Sequence, residues 1–166
     1  MPLTPAKVAY FRNFIFGVED SLVSTVGLVS GIAIAGLPRE AIFTTGVILI
    51  LVEAVSMAAG SFLSESSAEE YETQQEATGS QNIRAASIMF VSYALSGFVP
   101  LAPYLFLPVS YAFPLSIALA VAALSVLGLV SARISRAGYI KSAFRMALVG
   151  GVAILVGVVA GHFLHP

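Results

Sequence analysis

Three acids stand inside the first two apolar stretches, one of them with a thioether on its helix face: Glu19 and Asp20 in the first, Glu53 with Met57 in the second. An acid at the centre of a membrane span costs about 2.5–3.5 kcal/mol on insertion scales, so each one asks for a reason. Glu53 and Met57 are i and i+4, hence on one helix face, and Asp20 and Ser24 share a face in the same way. At ~1.5 Å per residue, Asp20 lies about 12 Å past Arg12, while Glu53 and Met57 lie about 16 and 10 Å before Ser64. They meet at similar depth if the two helices, or symmetry copies of them, are adjacent. Hard oxygen ligands suit Mg²⁺, Ca²⁺ and Mn²⁺, and a thioether adds preference for softer transition metals. Fe²⁺ sits between these limits. The same carboxylates can take up protons when the metal leaves, which is the chemistry of metal–proton exchange.

Plainer readings stand beside these. A lone Met57 packs more often than it ligates. Glu53 can pair with polar groups of another helix, and Glu19 reads equally as part of a polar seam. A second acidic pattern follows: Glu65, Glu69, Glu72 and Glu76 are spaced 4, 3 and 4, one helix face, with Glu70 beside it. On a straight helix that face is rotated roughly 110° from the Glu53–Met57 face. It reads as a cation-attracting mouth or weak metal-collecting site, or simply as a solvated helix end. His162 and His165 form an i, i+3 pair near the end of the chain, which reads as a wet terminus before a metal site. No Ser-His-Asp set, HExxH, phosphate loop or haem motif occurs, so neither an enzyme nor a permanently bound cofactor is expected.

The elements that must hold these residues are membrane helices. Of 166 residues 58% are hydrophobic and only 10% charged, with mean hydropathy +0.93. A soluble domain is about a quarter charged. Five apolar segments, at about 10–35, 40–64, 85–107, 111–131 and 141–164, are each near the ~20 residues a helix needs to cross the hydrocarbon. They do not alternate as barrel strands would. The first holds Glu19 and Asp20 and is too long for a signal peptide core. Pro100 and Pro103 should bend the third, and Gly27-x-x-x-Gly31 and Gly157-x-x-x-Gly161 allow close helix approach. The chain reads as one all-α membrane domain, with residues 65–84 as its only sizeable polar connection. With the N-terminus inside, seven of the eight Lys and Arg fall on the cytoplasmic side and only Arg39 outside. This predicts a cytoplasmic N-terminus and an outer C-terminus. Net charge −1 leaves no basic face for nucleic acid, and the lack of cysteine excludes disulfides and thiolate metal sites.

The stretch Gly17-Val18-Glu19-Asp20-Ser21-Leu22-Val23-Ser24-Thr25-Val26-Gly27-Leu28-Val29-Ser30-Gly31 resembles the first-helix signature of the vacuolar iron transporter family. Glu53-Ala54-Val55-Ser56-Met57-Ala58-Ala59-Gly60 resembles its second-helix signature, built on Ser-Met and a following Gly. Val99-Pro100-Leu101-Ala102-Pro103-Tyr104 is similar to its proline-bearing helix, and Arg145-Met146 through Gly157 to its last. The resemblance implies a five-helix homodimer with the transport path between subunits. It also implies export of Fe²⁺, and often Mn²⁺, from the cytoplasm in exchange for protons. Asp20 and Met57 match the family's metal-path positions. The family's second-helix glutamate lies about one turn before Glu53, where this chain has Leu49, and Ser21 stands where Gly commonly follows the aspartate. Many members carry a long glutamate-rich cytoplasmic domain between the second and third helices; here that stretch is short.

The expectation is therefore a dimeric, proton-coupled Fe²⁺/Mn²⁺ exporter with Asp20, Glu53 and Met57 in the membrane. Glu19, Glu65, Glu69 and Glu72 are further metal candidates toward the entrance. Its expected setting is lipid, in a prokaryotic plasma membrane or a vacuole-type membrane. A passive metal channel and a non-transporting scaffold subunit are the competing readings.

Overall fold

In a computed structural model, residues 5–77, 79–135 and 138–164 are described; they form six helices and no strand. These are α1 (Pro5–Ile34), α2 (Arg39–Thr73), α3 (Ser80–Leu101), α4 (Pro103–Phe106), α5 (Val109–Ser135) and α6 (Tyr139–Phe163). All but the four-residue α4 are long and apolar enough to cross a bilayer.

Local chemistry sets the breaks. After Ile34 the chain turns through Gly36, whose φ of 78° suits a residue without Cβ. The Leu37 N–H bonds the Ile32 carbonyl and the Gly36 N–H the Ala33 carbonyl, the pair that closes a Schellman motif. Pro38 then leads into α2. The third span is kinked at its end: α3 runs to Leu101, Ala102 keeps right-handed helical dihedrals with its N–H on the Phe98 carbonyl, and Pro103, lacking an N–H, opens α4. At the break the Ser116 hydroxyl of α5 donates to the Pro100 carbonyl at 2.6 Å. A neighbouring helix thus satisfies backbone that the prolines disturb.

The acidic connection is also partly helical. α2 runs without interruption past Ser64 to Thr73, and Gln74 closes it in the left-handed region at φ 55°. Glu65, Glu69, Glu70 and Glu72 therefore ride on the same helix as Glu53. Glu76 lies beyond its end, so the acidic face predicted to run through Glu76 stops at Glu72.

α1 is the hub and packs on α2, α3, α5 and α6. Its Leu22, Val26 and Val29 are fully buried. Small residues allow the close crossings. The two glycine pairs face each other within one chain: a Cβ on Gly31 would meet the Gly157 carbonyl oxygen at 2.7 Å, and one on Gly157 would overlap the Gly27 carbonyl. Close backbone approach replaces hydrophobic burial as the attraction between helices in lipid. Gly128 similarly sits on Ser142 and Ala143 where α5 meets α6. Two apolar clusters result. Val29, Ile42, Ile50, Leu101, Tyr104 and Ala112 fill the half of the bundle near the α1–α2 turn. Leu22, Leu124, Leu127 and Met146 join α1, α5 and α6. The outer faces stay apolar, with Val52, Leu95, Val126 and Leu155 more than half exposed. Lipid is the solvent that tolerates such a surface.

Candidate functional site

The centre of the site is a residue the sequence reading passed over. Tyr93 on α3 is fully buried, and its hydroxyl donates to Glu53 Oε2 of α2. The same hydroxyl lies 2.7 Å from Ser24 Oγ of α1. A phenol has one proton to give. With that proton on Glu53, Ser24 is the donor to Tyr93, and the bonds run in order from α1 through α3 to α2. One turn before Ser24, Ser21 donates to the Tyr93 carbonyl at 2.6 Å. Gly97, one turn past Tyr93, lets these groups close in: a Cβ there would stand 2.7 Å from Ser21 Oγ and 2.6 Å from Ile50.

Asp20, one turn before Ser24, is half-buried within electrostatic reach of both Glu53 and Tyr93. Glu19 lies in the fields of both the Arg145 cation of α6 and the neighbouring Asp20. Asp20 and Glu53 thus share one electrostatic neighbourhood, at whose edge Glu19 also feels Arg145. Two carboxylates close together in low dielectric repel unless a cation or a proton offsets one charge. A divalent cation satisfies both.

Met57 lies one turn from Glu53 toward Ser64. It lines a cavity of about 650 Å³ together with Asn13, Ser61, Glu65 and the second thioether, Met89. Asn13 is 4% exposed, and its Nδ2, like Ser61 Oγ, is buried without a hydrogen-bond partner among the described residues. The cavity is therefore partly polar, and at its mouth Arg12 of α1 forms an ion pair with Glu65 of α2.

The other acids divide. Glu69 accepts a hydrogen bond from Asn82 Nδ2 at 2.8 Å, and Asn82 also reaches Ser66 at 3.2 Å. This ties the end of α2 to the start of α3. Glu70 and Glu72 are exposed. Among the described residues no three His, Asp or Glu side chains of one chain converge on a point where a metal could be held. Any coordination within one chain therefore rests on fewer acids, supplemented by hydroxyl or thioether groups. His162 is exposed and touches Phe163 edge to face; His165 lies outside the described residues, so their pairing is not defined.

Of the residues missed, Tyr93 had one available signal: a tyrosine at mid-span depth must find a partner for its hydroxyl. Asn13 and Ser61 had none, because their shared cavity exists only once α1 and α2 pack.

Comparison with known proteins gives this arrangement its context. A profile of the VIT family matches residues 11–84 and 70–162. The chain is 30% identical over 162 residues to vacuolar iron transporter homolog 5 of Oryza sativa subsp. japonica, covering 90% of this chain and 77% of that protein. It is 23% identical over 202 residues to vacuolar iron transporter 1 of Tulipa gesneriana, covering 86% and 82%. With five membrane-crossing helices and matches over most of its length, the chain belongs to the VIT family, a family of membrane transporters and not of enzymes.

Proposed function

We propose that this protein exports Fe²⁺, and Mn²⁺ as a second cargo, from the cytoplasm in exchange for protons. The observation that carries the reading is the Ser24–Tyr93–Glu53 hydrogen-bonded cluster inside the bundle, with Asp20 one turn from Ser24 and Met57, one turn from Glu53, lining a cavity that reaches Glu65. The names of both relatives refer to iron, which supports iron as the ion. Carboxylates and a thioether fit a cation of intermediate softness.

In this reading the N-terminus is cytoplasmic, because Lys7, Arg12, Arg84, Arg133, Lys141 and Arg145 then gather on that side. The cavity at Arg12 and Glu65 is the entrance. Exposed Glu72 raises the local cation concentration there. Glu65 exchanges Arg12 for an arriving ion, and Glu69 holds the mouth in shape through Asn82. Glu19 sets the field beside Asp20. Asp20, Glu53 and Met57 bind the ion, and the carboxylates carry protons back. A second copy of the chain completes the coordination, which fits the lack of three converging acids among the described residues of one chain, and the path runs between the two copies. The same orientation serves a plasma membrane or a vacuole-type membrane, since metal leaves the cytoplasm in both.

The test is Fe²⁺ and Mn²⁺ flux, with a pH dye, in proteoliposomes of the wild type and Asp20→Ala. Metal movement opposed by proton movement, and lost in the variant, is the expected result. Metal flux without proton movement selects a channel. No flux of either metal selects a scaffold.

A further inference from the structure

We infer that Tyr93 is a specificity-determining residue: by holding Oε2 of Glu53, it makes Glu53 a one-oxygen donor and so disfavours Ca²⁺ relative to smaller divalent transition metals. The inference rests on the metal-binding role of Glu53 proposed above. It concerns how that carboxylate is presented to an ion, not whether metal is moved.

The argument starts from the hydroxyl. Tyr93 donates to Oε2 while Ser24 holds the phenol oxygen from the other side at 2.7 Å. The ring is fully buried, and its backbone is pinned by Ser21. The phenol therefore has little freedom to withdraw, and the bond to Glu53 persists as the carboxylate meets an ion. A carboxylate chelates through both oxygens only when both turn toward the same cation. Each carboxylate oxygen carries two lone pairs; the donor from α3 occupies one on Oε2 and fixes its direction, so Oε1 is the oxygen freer to turn to the ion. Ca²⁺ takes 6–8 oxygen ligands at 2.3–2.6 Å, and a bidentate carboxylate helps it reach that number. Transition metals of lower coordination number lose less from a one-oxygen donor, and they gain from the Met57 thioether that Ca²⁺ does not use. Tyr93 itself stays a positioning residue, since its proton is committed to Glu53.

The experiment reads binding separately from transport. Mn²⁺ binding to the full chain in detergent is followed by electron paramagnetic resonance while Ca²⁺ is added as competitor, in wild type, Tyr93→Phe, Ser24→Ala and Glu53→Gln. Tyr93→Phe keeps the buried ring and removes only the hydroxyl. The expected result is that Ca²⁺ competes at least ~10-fold better in Tyr93→Phe than in wild type, as both Glu53 oxygens become available. Ser24→Ala should shift the ratio the same way by a smaller factor. In the Glu53→Gln background, Tyr93→Phe should leave the ratio unchanged. A wild-type Ca²⁺/Mn²⁺ ratio in both Tyr93→Phe and Ser24→Ala overturns the inference, as does an equal shift with and without Glu53. If Tyr93→Phe fails to fold, the Ser24→Ala ratio decides alone. Selective Mn²⁺ binding without flux in proteoliposomes would sink the transport reading and leave this one standing.

Discussion

The Gly157 backbone lies directly against the Gly27 carbonyl, and one turn on Gly161 repeats the contact with Gly31. Two glycine pairs more than a hundred residues apart in sequence are thus a single feature, the crossing of α1 and α6. It holds the hub helix, with Asp20 and Ser24 on it, at a fixed distance from the last span. A methyl group at Gly157 has no room, because what it meets is backbone and cannot rotate away.

Gly157→Ala should therefore destabilise the bundle by about 1–3 kcal/mol, the usual cost of overpacking. Gly151→Ala is the control: nothing lies within 4 Å of the added carbon, so its stability should equal or slightly exceed wild type. Thermal unfolding of both variants in the same detergent checks this. A Gly157→Ala protein as stable as wild type would show that the crossing is loose.

Glu53→Gln keeps the side chain's size and an oxygen for Tyr93 to bond, but removes the charge. The folded protein should be retained, and KM for Mn²⁺ should rise by at least ~10-fold, in line with the roughly 1.5–3 kcal/mol carried by bonds to a charged group. Asp20→Ala should abolish flux. Initial-rate measurements across metal concentrations separate the two effects, and an unchanged KM in Glu53→Gln would remove that residue from the path.

At the cavity mouth the Arg12–Glu65 pair contributes little to stability, since Arg12 is largely exposed and such pairs are worth about 0–1 kcal/mol. Its influence should appear in rate. Arg12→Gln is expected to speed metal entry at low ionic strength, and Glu65→Gln to slow it. Both effects should fade toward 1 M salt, where the screening length falls to about 3 Å. Salt-independent rates in these variants would exclude an electrostatic role at the entrance.

Metal binds carboxylate only in its ionised form, so metal and protons compete for Asp20 and Glu53. Lowering the pH on the entrance side should raise KM for Fe²⁺. Lowering it on the opposite side alone should speed export by driving release. Flux at fixed metal, with the two pH values varied independently, tests the sign. Equal responses to acid on either side would contradict exchange.

Much of this protein is legible without coordinates. Chain composition and the lengths of the apolar runs lead to five membrane-crossing helices. An acid is so costly among apolar residues that Asp20 and Glu53 stand out by position alone. The i, i+4 step from Glu53 to Met57 is local geometry, and any helix would supply it. The bend expected at Pro100 and Pro103 is found as a one-residue break at Ala102, because Pro103 has no N–H to give the Val99 carbonyl.

Contacts between helices were decided by the tertiary structure alone. Nothing in the spacing of Ser24, Glu53 and Tyr93 says that three helices share one hydroxyl, since that depends on Gly97 letting α1 and α2 approach α3. Nor does the acidic spacing reveal that Glu65 and Glu69 are engaged by Arg12 and Asn82 while Glu72 stays exposed. Periodicity reports which residues share a face of one helix. It carries no information about what the next helix presents to that face, and the chemistry of this site lies between helices.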